Sequence, residues 1–228
     1  MERLKKPMLD WRQIDTVLLD MDGTLLDLHF DNYFWLEHLP ERWAAQTGLT
    51  VEQAKAQLKA EYDVLMGKLE WYCLDYWANR TGLAITELKR EIQHKIRMRD
   101  DSPAFLTALR QSGKQVMLVT NAHPDSLSLK IEQTTLASYI DTLVSVHEFG
   151  YTKEQQQLWQ LLQQKYGFDP ERTLFVDDSL PVLRSAQQFG IRHLLAITNP
   201  DSQQPARIIT EFPAIDNYAV LLDDLTAA

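Results

Sequence analysis

The chain has 228 residues, 45% hydrophobic and 24% charged, with a formal net charge of -9, a balance ordinary for a globular chain with one core or one core plus an appendage. The negative charge disfavours nonspecific binding to a nucleic acid polymer, whose phosphates reward a basic face. No apolar run approaches the roughly 20 residues that span a bilayer. The opening "MERLKKPMLDWRQID" has no continuous apolar segment of signal-peptide type, so no membrane association and a cytoplasmic location are expected. A single cysteine, Cys73, forms no intrachain disulfide and has no partners at metal-ligand spacing.

In chain order the first strand signal is "TVLL" at 16–19. From about 28 to 95 the chain holds aromatic stretches of helical period, such as "YFWLEHLPERWAAQTG", and no convincing strand. Strand runs then alternate with helical patterns: "QVMLVT" at 115–120, "DTLVSV" at 141–146, "TLFVDD" at 173–178 and "RHLLAIT" at 192–198. The segments between them include "DSLSLKIEQTTLASYI" and "KEQQQLWQLLQQKYG", the latter ended by Gly167 as a helix C-terminus should be. Strand then helix, repeated, predicts an α/β fold: a Rossmann-like parallel sheet flanked by helices. A small all-helical cap is inserted after the first strand. The expected division is a core of residues 1–28 and 96–228 and a cap of residues 29–95.

Ligands of such a sheet sit beyond the carboxyl ends of its strands. The residues there are Asp20, Asp22 and Thr24 after the first run, Thr120 and Asn121 at the second, Lys153 beyond the third, and Asp177 and Asp178 at the fourth. So many carboxylates at one edge repel one another unless a divalent cation is present. Hard oxygen donors without histidine or thiolate favour Mg2+. Two-residue spacing lets Asp20 and Asp22 face one small volume while Gly23 turns the chain away. One carboxylate is then available to attack while the other handles a proton.

These motifs resemble those of the haloacid dehalogenase superfamily of aspartate-nucleophile phosphatases. "DMDGTLL" is similar to its first motif, Thr120 in "LVTN" to its second, Lys153 to its third and "VDDS" at 176–179 to its fourth. Glu154 stands where many relatives carry proline. The resemblance implies Asp20 as nucleophile, Asp22 as general acid and then base, Thr120 and the Asn121 amide as phosphate donors, and Lys153 as the neutralising charge. It further implies metal contacts from Asp20, the Asp22 carbonyl and Asp178, with Asp177 acting directly or through water. Asp22 argues against a dehalogenase. A phosphoacceptor receiver module is a remote alternative, set aside because its acids follow different strands.

The substrate is expected to be a small anionic phosphate ester. Thr24, Asn121, His29, Asn32 and His123 are candidate substrate-binding residues, although Thr24 also fits a turn-fixing role and His123 a helix start. Tyr33, Phe34, Trp35, Trp43, Trp71, Tyr72, Tyr76 and Trp77 form a dense aromatic set in the insert. Most are expected to pack as core, with one or two at the cleft. "FDNYFW", "WYCLDYW", "TNAHP", "FGY" and "TNPDS" resemble the bacterial purine 5'-nucleotidases active on GMP and IMP. A general phosphatase of small sugar or acid phosphates, such as phosphoglycolate, is the alternative. A monomer or weak homodimer is expected.

Overall fold

The computed structural model describes residues 8–227, so the first seven residues of the opening stretch lie outside the described residues. Six strands form one parallel sheet: β1 (Thr16–Leu19), β2 (Gln115–Thr120), β3 (Thr142–Ser145), β4 (Thr173–Asp177), β5 (His193–Ile197) and β6 (Ala214–Ile215). Their order is β3-β2-β1-β4-β5-β6. In the central strand, Leu19 pairs with Leu118 on one side and Val176 on the other. The chain runs outward to β2 and β3 and then returns to place β4 beside β1, which puts a topological switch at the carboxyl end of β1.

The strand period of two decides the layers. Val17 and Leu19 face one apolar cluster with Phe105, Leu109, Tyr218 and Leu221, whereas Leu18 faces another with Trp159, Leu162 and Leu183. Helices therefore cover both faces. After β1 the chain leads away from the sheet through α1 (His29–Tyr33), α2 (Leu39–Thr47), α3 (Val51–Leu65), α4 (Leu69–Tyr72), α5 (Leu74–Thr81) and α6 (Ile85–Glu91). A wider π-type turn over Phe34–His38 joins α1 to α2. The remainder are α7 (Ser102–Gln111), α8 (Pro124–Gln133), α9 (Gln156–Tyr166), α10 (Leu180–Phe189) and α11 (Ala219–Thr226). A third apolar cluster is built from residues between Phe30 and Ile96, joined by Leu129 of α8. Its members include Phe34, Trp43, Tyr62 and Trp77.

The two segments that link this cluster to the sheet are tied to each other. Asp27 N donates to Arg97 O at 3.0 Å and Arg99 N to Leu25 O at 2.9 Å, and the Asp27 carboxylate takes the Arg97 guanidinium at 2.9 Å and Ser202 N at 3.0 Å.

Several elements differ from the sequence pattern. The third run keeps strand geometry only over Thr142–Ser145 and then tightens into a 3-10 turn over Val146–Glu148. The helix after Asn121 stops at Gln133, where Thr134 is extended and its hydroxyl donates to Lys130 O at 2.8 Å. β4 ends at Asp177, so Asp178 lies just beyond it. The two-residue β6 is too short to carry an alternating pattern. Gly167 does end α9, in the left-handed conformation at φ 69°.

Candidate active site

Asp20 follows β1, its N–H donating to Val176 O of β4 at 3.0 Å. Both carboxylate oxygens have partners: Lys153 Nζ donates to Oδ1 at 2.7 Å and Thr24 Oγ1 to Oδ2 at 2.9 Å. Lys153 also donates to Asp177 Oδ2 at 2.8 Å. Its backbone N–H is fixed by Asn121 Oδ1 at 2.9 Å, which draws the loop after β3 against the end of β2. Thr120 lines the cavity beside Asp20, and its hydroxyl oxygen accepts from Ala122 N at 3.0 Å. That bond leaves the hydroxyl proton available as a donor.

Gly23 makes this corner possible. Its φ is +85°, and a Cβ placed there would lie 2.9 Å from both Asp178 Cγ and Pro200 Cβ. The turn brings Asp178 close, and carboxylate oxygens of Asp20, Asp177 and Asp178 lie within 4.8 Å of one another. Burial, followed by the Asp177 charge and opposed by Lys153, pushes the Asp20 carboxyl up to about 6. Burial and the charges of Asp177 and Asp20 hold Asp178 well above the usual carboxylate range. Such a set of crowded hard oxygen donors fits a magnesium ion, which would offset their mutual repulsion and favour the ionised carboxylates.

Asp22 is pushed up to about 7 by burial and then by the Asp31 charge, against the attraction of Lys130. Lys130 Nζ lies 2.5 Å from Asp22 Oδ1 and 2.6 Å from Asp31 Oδ2, while Lys89 Nζ lies 3.4 Å from Asp31 Oδ1. This charge chain joins α8 to α1 and α6. The sequence reading missed both lysines. Each sits on an amphipathic helix where a lone lysine signals solvent, yet Lys89 is 2% and Lys130 1% exposed.

A cavity of about 300 Å³ opens over these groups, lined by Asp20, Asp22, Thr120, Asn121, Lys153, Asp177 and Asp178 at its floor. Asn32, Trp35, Trp71, Tyr72 and Lys89 line it from the helical side, together with His123 of the α8 entry. Of the aromatic set, Trp35, Trp71 and Tyr72 reach the cavity, while Phe34, Trp43 and Trp77 are core.

Two candidate substrate residues stand elsewhere. Thr24 is fully buried, its hydroxyl committed to Asp20 and its carbonyl to Tyr218 Oη at 2.9 Å, so the structure gives it the turn-fixing place. His29 lies off the cavity, its Nδ1 3.5 Å from Asp201 Oδ1. Asn32 holds the same Asp201 through Nδ2 at 2.8 Å. Glu154 receives Asn121 Nδ2 at 3.0 Å and Tyr72 Oη at 2.8 Å.

The fold also gives Cys73 neighbours that spacing did not reveal: its sulfur and donor atoms of Asp75 and His123 lie within 4.8 Å of one another. Asp125 N donates to His123 Nδ1 at 3.2 Å, which leaves Nε2 as the protonated nitrogen facing Asp75 at 3.4 Å. That tautomer offers a cation no lone pair.

Among the described residues, no helix is long and apolar enough to cross a membrane. The chain is 46% identical over 215 residues to the GMP/IMP nucleotidase YrfG of Escherichia coli K12, covering 94% of this chain and 97% of that protein. The crystal structure of a HAD phosphatase from Thermococcus onnurineus superposes with a TM-score of 0.77 at 20% identity, covering 93% of this chain and 98% of that one. The L-2-haloacid dehalogenase of Xanthobacter autotrophicus gives 0.57 at 18% identity, over 83% of this chain and 80% of that one. The sequence profile of the haloacid dehalogenase-like hydrolases matches residues 14–190, a span that runs from the approach to β1 through the glycine ending α10, and the chain belongs to that family of hydrolases.

Proposed function

We propose that this chain is a magnesium-dependent phosphomonoesterase that turns over through an aspartyl phosphate on Asp20, with 5'-GMP and 5'-IMP as its preferred substrates. The observation that carries the chemistry is the pair of buried carboxylates, Asp20 and Asp22, lining one cavity with Thr120 and Lys153. An Asp20 oxygen attacks phosphorus and the bond from phosphorus to the ester oxygen breaks, the electron pair leaving with that oxygen. Asp22 gives the leaving oxygen its proton. Water then attacks the aspartyl phosphate, passing a proton to Asp22, and inorganic phosphate departs as Asp20 regains its carboxylate. Thr120 donates to a phosphoryl oxygen, and Lys153 balances the charge that Asp20 and phosphate share.

Magnesium would be held by the Asp20 carboxylate, the Asp22 carbonyl and Asp178, where it supplies charge compensation for the incoming phosphate. Hydrogen bonding favours Asp178 over Asp177 as the direct ligand. Asp177 has both oxygens occupied, by Ser179 N at 2.7 Å and Lys153 Nζ at 2.8 Å. Among the described residues the nearest cation to Asp178 is Arg207, at 3.9 Å. Asp177 then orients Lys153.

A dehalogenase needs no acid beside its nucleophile, because halide leaves without a proton; a second buried carboxyl there would be only a cost. For the substrate, support comes from the relative at 46% identity over 94% of this chain and from the wall of Trp35, Trp71 and Tyr72, on which a purine ring can stack. We place specificity in residues 29–95 and phosphoryl chemistry in the remainder. The test is a panel of phosphate esters assayed with magnesium. GMP and IMP are expected to lead in kcat/KM, ahead of AMP, pyrimidine nucleotides, hexose phosphates and phosphoglycolate. A leading hexose phosphate or phosphoglycolate would overturn the substrate assignment and leave the phosphatase chemistry standing.

A further inference from the structure

Lys89 projects from α6 into the charge chain beside the cavity and is 2% exposed. Burying an ammonium is costly unless its three N–H groups find acceptors. Lys130, the other lysine of the chain, has two short carboxylate contacts, at 2.5 and 2.6 Å. The polar contact found for Lys89 among the described residues is a long one, 3.4 Å to Asp31 Oδ1. Three aromatic rings also stand around it: its Nζ is 4.6 Å from the ring centre of Phe34 and 5.2 Å from those of Phe30 and Trp35. Ring faces attract the charge but accept no conventional hydrogen bond. The cavity therefore carries, among its aromatic walls, a donor with unused capacity.

Asp31 gives this donor a neighbour of opposite sense. Its Oδ2 is committed to Lys130, while among the described residues Oδ1 has only the long contact to Lys89. A ligand that meets both must offer an acceptor oxygen next to an N–H. The phosphate end of a substrate is engaged by Asp20, Thr120 and Lys153, so the part meeting Lys89 and Asp31 belongs to the leaving group beyond Asp22.

We propose, resting on the nucleotidase reading above, that Lys89 is the specificity-determining residue of this site: it donates to the 6-oxo group of the purine, with Asp31 accepting the adjacent ring N1–H. GMP and IMP share that edge. AMP reverses both groups, offering an amino donor to the ammonium and a lone pair to the carboxylate, and so leaves buried groups unpaired.

The experiment compares wild type with Lys89→Met, which keeps the buried stem and removes the donors. Steady-state kinetics are measured with GMP, IMP, AMP, 2'-deoxy-GMP and purine riboside 5'-monophosphate, which lacks a 6-substituent. In wild type the purine riboside ester is expected to fall with AMP, well below IMP; equal use of it and IMP would show that the 6-oxo group is not read, whether or not the variant folds. In Lys89→Met, GMP, IMP and 2'-deoxy-GMP are expected to lose about 10²-fold in kcat/KM while AMP changes less than about threefold. An equal loss on all five substrates, or none, overturns the assignment. Losses on GMP, IMP and AMP that spare 2'-deoxy-GMP overturn it too, by assigning Lys89 to a ribose hydroxyl. Failure of wild type to prefer GMP and IMP over AMP would refute the GMP/IMP preference on which the assignment rests, whereas an intact preference in Lys89→Met refutes only the role of Lys89.

Discussion

Gly23→Ala tests the corner on which the carboxylate cluster is built. At φ +85° an alanine costs about 1–2 kcal/mol of backbone strain. The new methyl would also stand 2.9 Å from Asp178 Cγ and from Pro200 Cβ, an overlap of the kind that costs about 1–3 kcal/mol when something moves aside. Pro200 is anchored through its carbonyl, which accepts from Leu28 N at 2.9 Å. Among the described residues the ionic contact of the Asp178 side chain is the 3.9 Å one to Arg207, so it is the group that yields. Stability should fall by about 2–5 kcal/mol, a Tm loss on the order of 5–15 °C for a chain of this length. The half-saturating magnesium concentration for turnover should rise by about tenfold or more, as misplaced metal-site groups do. Thermal melts in chelator isolate the first effect and magnesium titration of phosphatase rate the second. A lowered Tm with unchanged magnesium dependence would refute the place given to Asp178, and no change in either would refute the tight packing of the turn.

Asp20→Asn should abolish turnover and any acid-stable phosphoenzyme. Asp22→Asn should lower GMP hydrolysis by about 10²-fold or more, yet give a burst of nitrophenol from para-nitrophenyl phosphate, whose leaving group needs no proton; wild-type GMP turnover in either variant would reject its role. Exhaustive chelation should stop hydrolysis and magnesium restore it, while calcium, with its looser and higher coordination, should inhibit. Full activity in the chelated protein would count against a metal-dependent site.

The fold and the floor of the site were legible because each rests on a local rule. Strands such as "QVMLVT" carry their own β-branched and aliphatic signal, and a parallel sheet gathers their carboxyl ends, so Asp20, Thr120 and Asp177 meet by topology, while Lys153 is drawn in by the bond of its N–H to Asn121 Oδ1. Thr24 was harder to assign: adjacency to Gly23 is visible in the chain, but the bond of its hydroxyl to Asp20 at 2.9 Å depends on how the turn closes. Lys89 and Lys130 were illegible. Their burial is created by helices far apart in sequence, and nothing within "ELKRE" or "LSLKIE" distinguishes a lysine aimed at a carboxylate from one aimed at water. His29 differs the other way, near the Asp20–Thr24 turn in sequence but facing Asp201 in space.

Glu154 shows why the departure from proline matters. Its carboxylate joins Tyr72 of α4 to Asn121 after β2, and nearby Thr152 Oγ1 donates to Gly67 O at 2.9 Å. Proline could make no such side-chain bridge. On the other side of the cavity, polar contacts between the helical insert and α8 include the Asp31–Lys130, Arg90–Glu132 and Thr86–Asp125 pairs. These connections are polar, each worth a net of about 0.5–3 kcal/mol, and water or a substrate can replace them. Among the described residues the apolar cluster of the insert takes Ile96 and Leu129 from the sheet-bearing part, and Leu69 of α4 packs against the second sheet cluster. The meeting of the two parts encloses five carboxylates and three lysines, Asp20, Asp22, Asp31, Asp177, Asp178 and Lys89, Lys130, Lys153. A phosphate monoester adds still more negative charge to that enclosure. If magnesium sits on this floor as proposed, it offsets that charge, and phosphate-ester affinity is expected to rise with magnesium concentration; an affinity independent of magnesium would refute such coupling.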